Sequence, residues 1–161
     1  MIVLGVDPGS VRTGWGVIES RGARLTVIDA GVIRAGSDPP LEQRLCVIHA
    51  RLCELIAHHG PSCMAVEDVF SKHARSALKL GQARGVVLLA GAQAQLPISA
   101  YPPALVKRSI AGSGAAPKEQ LGRIVATILG LSKPPPADAS DALAIAITHA
   151  NAARVRMPRP A

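Results

Sequence analysis

The chain has 161 residues, a length that suits one domain, and its 48% hydrophobic content is ample for a packed core. The formal charge of +7 points to a polyanionic partner, and without the three arginines between Arg154 and Arg159 it is still about +4. Asp7, Arg12 and Glu19 interrupt the first apolar stretch, and Gly, Gln and Pro break the later ones, which excludes a signal peptide or spanning segment and leaves a cytoplasmic protein, without a membrane partner, as the expectation.

Ile2-Val3-Leu4-Gly5-Val6 is a continuous apolar run that stops at Asp7 and turns at Pro8-Gly9. Thr13 to Ser20 and Arg24 to Arg34 read as two more strands around a turn at Arg21-Gly22, an antiparallel meander. Leu41, Leu45, Ile48, Leu52 and Leu55 mark a long amphipathic helix that stops at His59-Gly60-Pro61. Met64-Ala65-Val66 forms a strand running into Glu67. A helix from Ala74 to Gln95, a short strand from Ile98 to Tyr101 and a helix from Ala104 to Ala111 follow. The link Gly112-Ser113-Gly114 leads to a helix from Pro117 to Leu129, and the breaker Pro134-Pro135-Pro136 precedes a last helix from Asp138. The reading is one α/β fold, a mixed five-stranded sheet flanked by helices, with the later strands returning through helical crossovers. Cys46, Cys53 and Cys63 lack the paired close spacing of a zinc knuckle or redox motif and read as buried reduced thiols.

Four acids stand where this fold could gather them. Asp7 and Glu67 each end a strand, the usual place for ligand chemistry in an α/β sheet. Asp138 and Asp141 open the last helix, three apart and so on one face. Two bare carboxylates about 4 Å apart repel by roughly 4 kcal/mol at an effective dielectric near 20, so such a cluster calls for a cation. An all-oxygen set without Cys or His favours Mg²⁺, with Mn²⁺ as a substitute, over Zn²⁺, and its usual use is phosphoryl chemistry. Three of the acids also have a plainer role open to them: Asp7 as a turn former, Asp138 as a helix N-cap, Asp141 as a favourable charge in the first turn. Capping and metal binding are compatible.

Asp7-Pro8-Gly9-Ser10 followed by Thr13-Gly14-Trp15-Gly16-Val17-Ile18 resembles the opening of RuvC-type Holliday-junction resolvases. Glu67-Asp68-Val69-Phe70 is similar to that family's second acidic motif, Ser76 to Gly85 to its long helix, and Ala137 to Ala146 to its last acidic motif. The likeness runs to about Ala150. It implies an RNase H-like fold over residues 1–150; residues 151–161, outside the likeness, read from their Arg and Pro content as a basic, flexible tail. It also implies a homodimer, two Mg²⁺ ions per subunit, paired nicking of four-way junctions in recombination and repair, and RuvA and RuvB as branch-migration partners. Carried over by motif, the catalytic and metal-binding residues are Asp7, Glu67, Asp138 and Asp141, with Lys107 and Lys118 near the DNA. Some members have His where this chain keeps Asp138, and an amide is common where it has Asp68.

Glu67 and Asp68 are adjacent, so strand alternation lets only one join the cluster; Glu67 is the choice, and Asp68 is left to solvent or to a supporting contact. Phe70 lies three residues past Glu67, in a run continuing Ser71, Lys72, His73 and Arg75 that is too polar and basic for a core strand. It reads as a wedge that stacks on an unpaired base, an interaction worth about 1–3 kcal/mol, against core packing as the alternative. Lys72 joins it as a DNA contact. Arg75, Lys79 and Gln82 make one polar stripe on the following helix, a DNA-facing or merely solvated face. Lys118, near a helix start, suits a phosphate better than the helix dipole. Trp15 and Tyr101 read as structural; His49, His58, His59 and His149 lack partners at ligand spacing, and His73 is a further candidate DNA contact.

Three other classes share parts of this pattern. Sugar-kinase and actin-like ATPases have a similar Asp-x-Gly turn but need two lobes, for which the chain is too short. A non-catalytic junction-binding scaffold has no reason to keep four repelling acids. A general RNase H-like nuclease shares the acids and differs in substrate.

Overall fold

A computed structural model of the chain describes residues 1–68, 74–114 and 116–156. Five strands form one sheet in the order β3-β2-β1-β4-β5. They are β1 (Ile2–Asp7), β2 (Arg12–Arg21), β3 (Arg24–Arg34), β4 (Cys63–Glu67) and β5 (Ile98–Tyr101). The helices are α1 (Leu41–His59), α2 (Ala74–Gln93), α3 (Pro103–Ala111), α4 (Lys118–Ile128) and α5 (Ala137–Arg156). β1 pairs antiparallel with β2 and parallel with β4, and β4 pairs parallel with β5, so the expected mixed sheet is present. Among the described residues no helix is long and apolar enough to cross a membrane.

β1 lies in the middle and is covered on both sides, which is why its sequence is apolar without alternation. Val3 faces the layer of α3, α4 and α5 with Ile18, Ala65, Leu143 and Ile147, whereas Leu4 and Val6 face α1 and α2 with Ile48, Leu52, Met64 and Val87. Counting by twos along β1 from Val3 through Gly5 puts Asp7 on the α5 side. The same count from Cys63 and Ala65 puts Glu67 there too. The last register pair of β1 and β4 is Val6 with Val66, so both acids come one step later, side by side.

α5 lies almost on the strand backbones. A Cβ on Gly5 would stand 2.1 Å from the carbonyl oxygen of Ala142, and one on Gly14 1.9 Å from that of Asp138. Glycine at these strand positions therefore sets the depth at which the head of α5 docks.

Several element ends differ from the sequence reading. α5 begins at Ala137, with the Ser140 amide donating to the Pro136 carbonyl, so Asp138 sits inside the first turn and is not the N-cap. α5 also runs past Ala150 to Arg156, because Asn151 to Arg156 contains neither Gly nor Pro, so residues 151–156 of the expected tail are helical. α2 stops at Gln93, since Gln95 adopts a left-handed φ of 57°. α1 ends as read, on Gly60 at φ 55°. Cys63 is buried and Cys53 half-buried, but Cys46 is exposed, which corrects the expectation for that thiol: it lies off the apolar stripe of α1. Trp15 is buried, and the Tyr101 hydroxyl pairs with His149 Nδ1 at 2.9 Å.

Candidate active site

The turn between β1 and β2 is held from three sides. The Gly9 amide donates to Thr13 Oγ1 at 3.3 Å, and that hydroxyl donates back to the Gly9 carbonyl at 2.9 Å. Ala35 and Gly36 donate their amides to the Val11 carbonyl at 2.9 and 3.2 Å. From α1, Arg44 donates Nη1 to the Ser10 carbonyl and Nε to the Pro39 carbonyl, each at 3.1 Å, and is only 7% exposed. The sequence reading missed Arg44, although a signal was there. It precedes Ile48 by four and Leu52 by eight, so it stands on the apolar face of α1, where a charge needs a fixed partner.

Asp7 leaves this rigid turn pointing into the gap between the sheet and α5. Its carboxyl is pushed up from 3.8 to about 8, first by burial, then by the charge of Glu67, then by that of Asp141, with a hydrogen bond to Glu67 and, least, the charge of Asp138 adding to it. Asp7 therefore keeps a proton at neutral pH and shares it with Glu67. A hollow of about 180 Å³ opens over the pair, lined by Asp7, Glu67, Asp141, Lys107, Pro103, Val106 and Leu121. Lys107 thus reaches the acids from α3. A neighbouring hollow of about 310 Å³ between α4 and the head of α5 shares Asp141 and adds Glu119, Arg123 and Ser140.

Asp138 is not on the wall of the acid-lined hollow. Its Oδ2 stands 3.3 Å from Nε of Arg12, the first residue of β2. Among the described residues no three acidic, His or Cys side chains converge closely enough to hold one ion as they stand. The donor set nevertheless fits a hard divalent cation, because it is all carboxylate and because the charges of Glu67, Asp141 and Asp138 all act on Asp7.

Asp68 turns away from the cluster, as alternation requires, and its Oδ1 pairs with Arg84 Nη2 of α2 at 3.3 Å. Arg84 Nε also donates to the Glu67 carbonyl at 3.4 Å, which fixes the end of β4. Arg75, Lys79 and Gln82 are exposed on one face of α2. Lys118 is the first residue of α4, after Pro117 at the N-cap. Phe70, Lys72 and His73 lie outside the described residues.

The family model for crossover junction endodeoxyribonuclease RuvC matches residues 3–149. The chain belongs to the RuvC family. Curated RuvC relatives include that of Sorangium cellulosum, 51% identical over 95% of this chain and 86% of its own length. Another, from Geobacter metallireducens, is 49% identical over 97% and 96%. Among solved structures, Thermus thermophilus RuvC in complex with a Holliday junction substrate matches with a TM-score of 0.90 at 39% identity, covering 96% of each chain. The yeast mitochondrial Holliday junction resolvase Ydc2 matches with a TM-score of 0.72 over 96% of this chain and 80% of its own, at 10% identity, a likeness of fold alone. The mixed sheet with helices on both faces is the RNase H-like architecture that the RuvC resemblance implied.

Proposed function

We propose that this chain cuts four-way DNA junctions by divalent-cation-dependent hydrolysis of phosphodiester bonds, making paired symmetric nicks in recombination and repair. The observation that carries the reading is the convergence of Asp7, Glu67 and Asp141, with Lys107, on one hollow at the carboxyl ends of β1 and β4. Asp7, Glu67, Asp138 and Asp141 are the catalytic acids and would hold Mg²⁺, two ions per subunit, with Mn²⁺ as a substitute. When bound, the cation acidifies water and offsets charge on the phosphate. Asp7 gives up its proton to admit it, and Lys107 brings positive charge to the same wall, where a phosphate oxygen is stabilised.

DNA is held by the basic surface of the single nuclease domain, which includes all of α5. Phe70 stacks on a base exposed at the crossover, and Lys72, Arg75, Lys79, Lys107 and Lys118 contact phosphates. Two symmetric nicks need two such sites, and a homodimer supplies them. The exposed Leu78 and Leu89, with the open positions Gly81 and Gly85, give α2 a surface that can pack on its twin. RuvA and RuvB are the branch-migration partners, and the cytoplasm is where the chain acts. The test is to offer a labelled mobile four-way junction, a linear duplex and an RNA:DNA hybrid, with Mg²⁺ and with EDTA. Nicks paired across the junction, dependent on Mg²⁺ and absent from the other two, are expected; equal cutting of duplex or hybrid would make the chain a general nuclease.

A further inference from the structure

Arg12 touches one of the four acids, and nothing in the reading above uses it. Its backbone is firmly held: a Cβ on Gly9 would stand 2.1 Å from the Arg12 carbonyl, Val11 before it accepts two amides, and Thr13 after it is buried and bonded to Gly9. Its side chain is the opposite, 59% exposed, and the Asp138 carboxylate it meets is 34% exposed. An ion pair as open as this adds little to folding. A guanidinium that reaches into solvent from a rigid base is suited instead to exchanging one anion for another, because the fork that fits a carboxylate also fits a phosphate.

The two states of Arg12 differ in what they leave behind. While it holds Asp138, that acid is compensated and stays off the wall shared by Asp7, Glu67 and Asp141. Once it turns to another anion, Asp138 stands uncompensated beside three acids, and the site's demand for a cation rises. We infer that Arg12 is a positioning residue that passes from Asp138 in the DNA-free protein to a backbone phosphate of bound DNA, releasing Asp138 to the divalent cation. The inference rests on reading the site as a cation-dependent nuclease centre. It makes DNA and cation mutually reinforcing ligands, and the coupling acts equally in both directions.

The test compares the full chain with Arg12→Gln and Arg12→Lys in two measurements that involve no cutting. Mn²⁺ binding without DNA, followed by calorimetry, is expected to tighten about 3- to 10-fold in Arg12→Gln, because a competing cation beside Asp138 is gone. Junction binding in EDTA, measured against salt, is expected to lose about 1 from its slope per subunit in Arg12→Gln and to keep it in Arg12→Lys. Melting temperatures are expected to agree within about 2 °C for an exposed pair of this kind. Mn²⁺ affinity changed without the slope would make Arg12 a fixed counter-charge, and the slope changed without Mn²⁺ affinity would make it a plain DNA contact. Either result, or neither change, overturns the exchange. Cutting of the junction by the unaltered chain with Mg²⁺ tests the nuclease reading separately. Its failure beside intact Arg12 effects would sink that reading alone.

Discussion

Removing the charge of Asp7 should stabilise the metal-free protein while destroying its activity. The carboxyl moves from 3.8 in the unfolded chain to about 8 in the folded one. Below pH 3.8 it is protonated in both states and contributes no difference. Between there and pH 8 the unfolded chain gains by ionising and the folded one does not, so stability falls as pH rises and levels off above about 8. At 1.36 kcal/mol per pK unit the ceiling on this loss is about 6 kcal/mol, and water entry and side-chain relaxation reduce it to a few. Asp7→Asn keeps the shape and one hydrogen-bonding group but cannot ionise. In EDTA, urea unfolding should find the variant about 1 kcal/mol more stable than the unaltered chain at pH 5 and several kcal/mol more stable at pH 9. Saturating Mg²⁺ should close the gap by stabilising only the unaltered chain, increasingly so toward high pH. A variant that is less stable by the same amount at every pH would mean that the Asp7 carboxylate supports the fold, and the account of a strained acidic centre would be wrong.

Gly14→Ala places a Cβ 1.9 Å from the Asp138 carbonyl oxygen and must lift the head of α5. A loss of about 1–3 kcal/mol in unfolding is expected. Single-turnover cleavage by the folded fraction should fall by about 10²-fold, as displacement of catalytic groups by about 1 Å does; unchanged rate and stability would show that α5 does not depend on this contact. Arg44→Met removes both bonds that tie the Ser10 and Pro39 carbonyls and should cost about 2–4 kcal/mol, read as a drop in melting temperature; a drop under about 2 °C would show that the turn stands without it. Phe70→Ala should slow cutting of a fully paired junction and leave the melting curve in place. A core phenylalanine would instead lose about 3–5 kcal/mol of stability, with cleavage reduced only in proportion to unfolded protein.

The strand ends were legible because a central β-strand announces itself: apolar run, acid, turn. Alternation let only one of Glu67 and Asp68 join the cluster, the face shared with Ala65 and the family motif favoured Glu67, and Asp68 is found paired with Arg84. Gly5, Gly14 and Gly16 were legible in principle too, since glycines at alternate strand positions mark close approach of another backbone, and here that backbone is α5. What the sequence hid is the partner of Asp138. Arg12 at the start of β2 is indistinguishable by pattern from any solvated arginine, and only the docking of α5 brings Asp138 to it. The same docking decided the start of α5, where Pro136 accepts from Ser140 and leaves Asp138 inside the helix. Arg44 was overlooked because a helical stripe is usually read for its apolar members alone.

The central claim is that the acids at the ends of β1 and β4 and on the first turns of α5 form the cutting centre. Asp141 is the member that lines both hollows, and its removal is the most direct measurement: single-turnover cleavage of a labelled four-way junction by Asp141→Asn with Mg²⁺, at protein concentrations where binding is saturated. The account predicts that the junction is bound as well as, or more tightly than, by the unaltered chain and that cutting falls by about 10³-fold or more. Cutting at the unaltered rate by a variant that binds normally would contradict it.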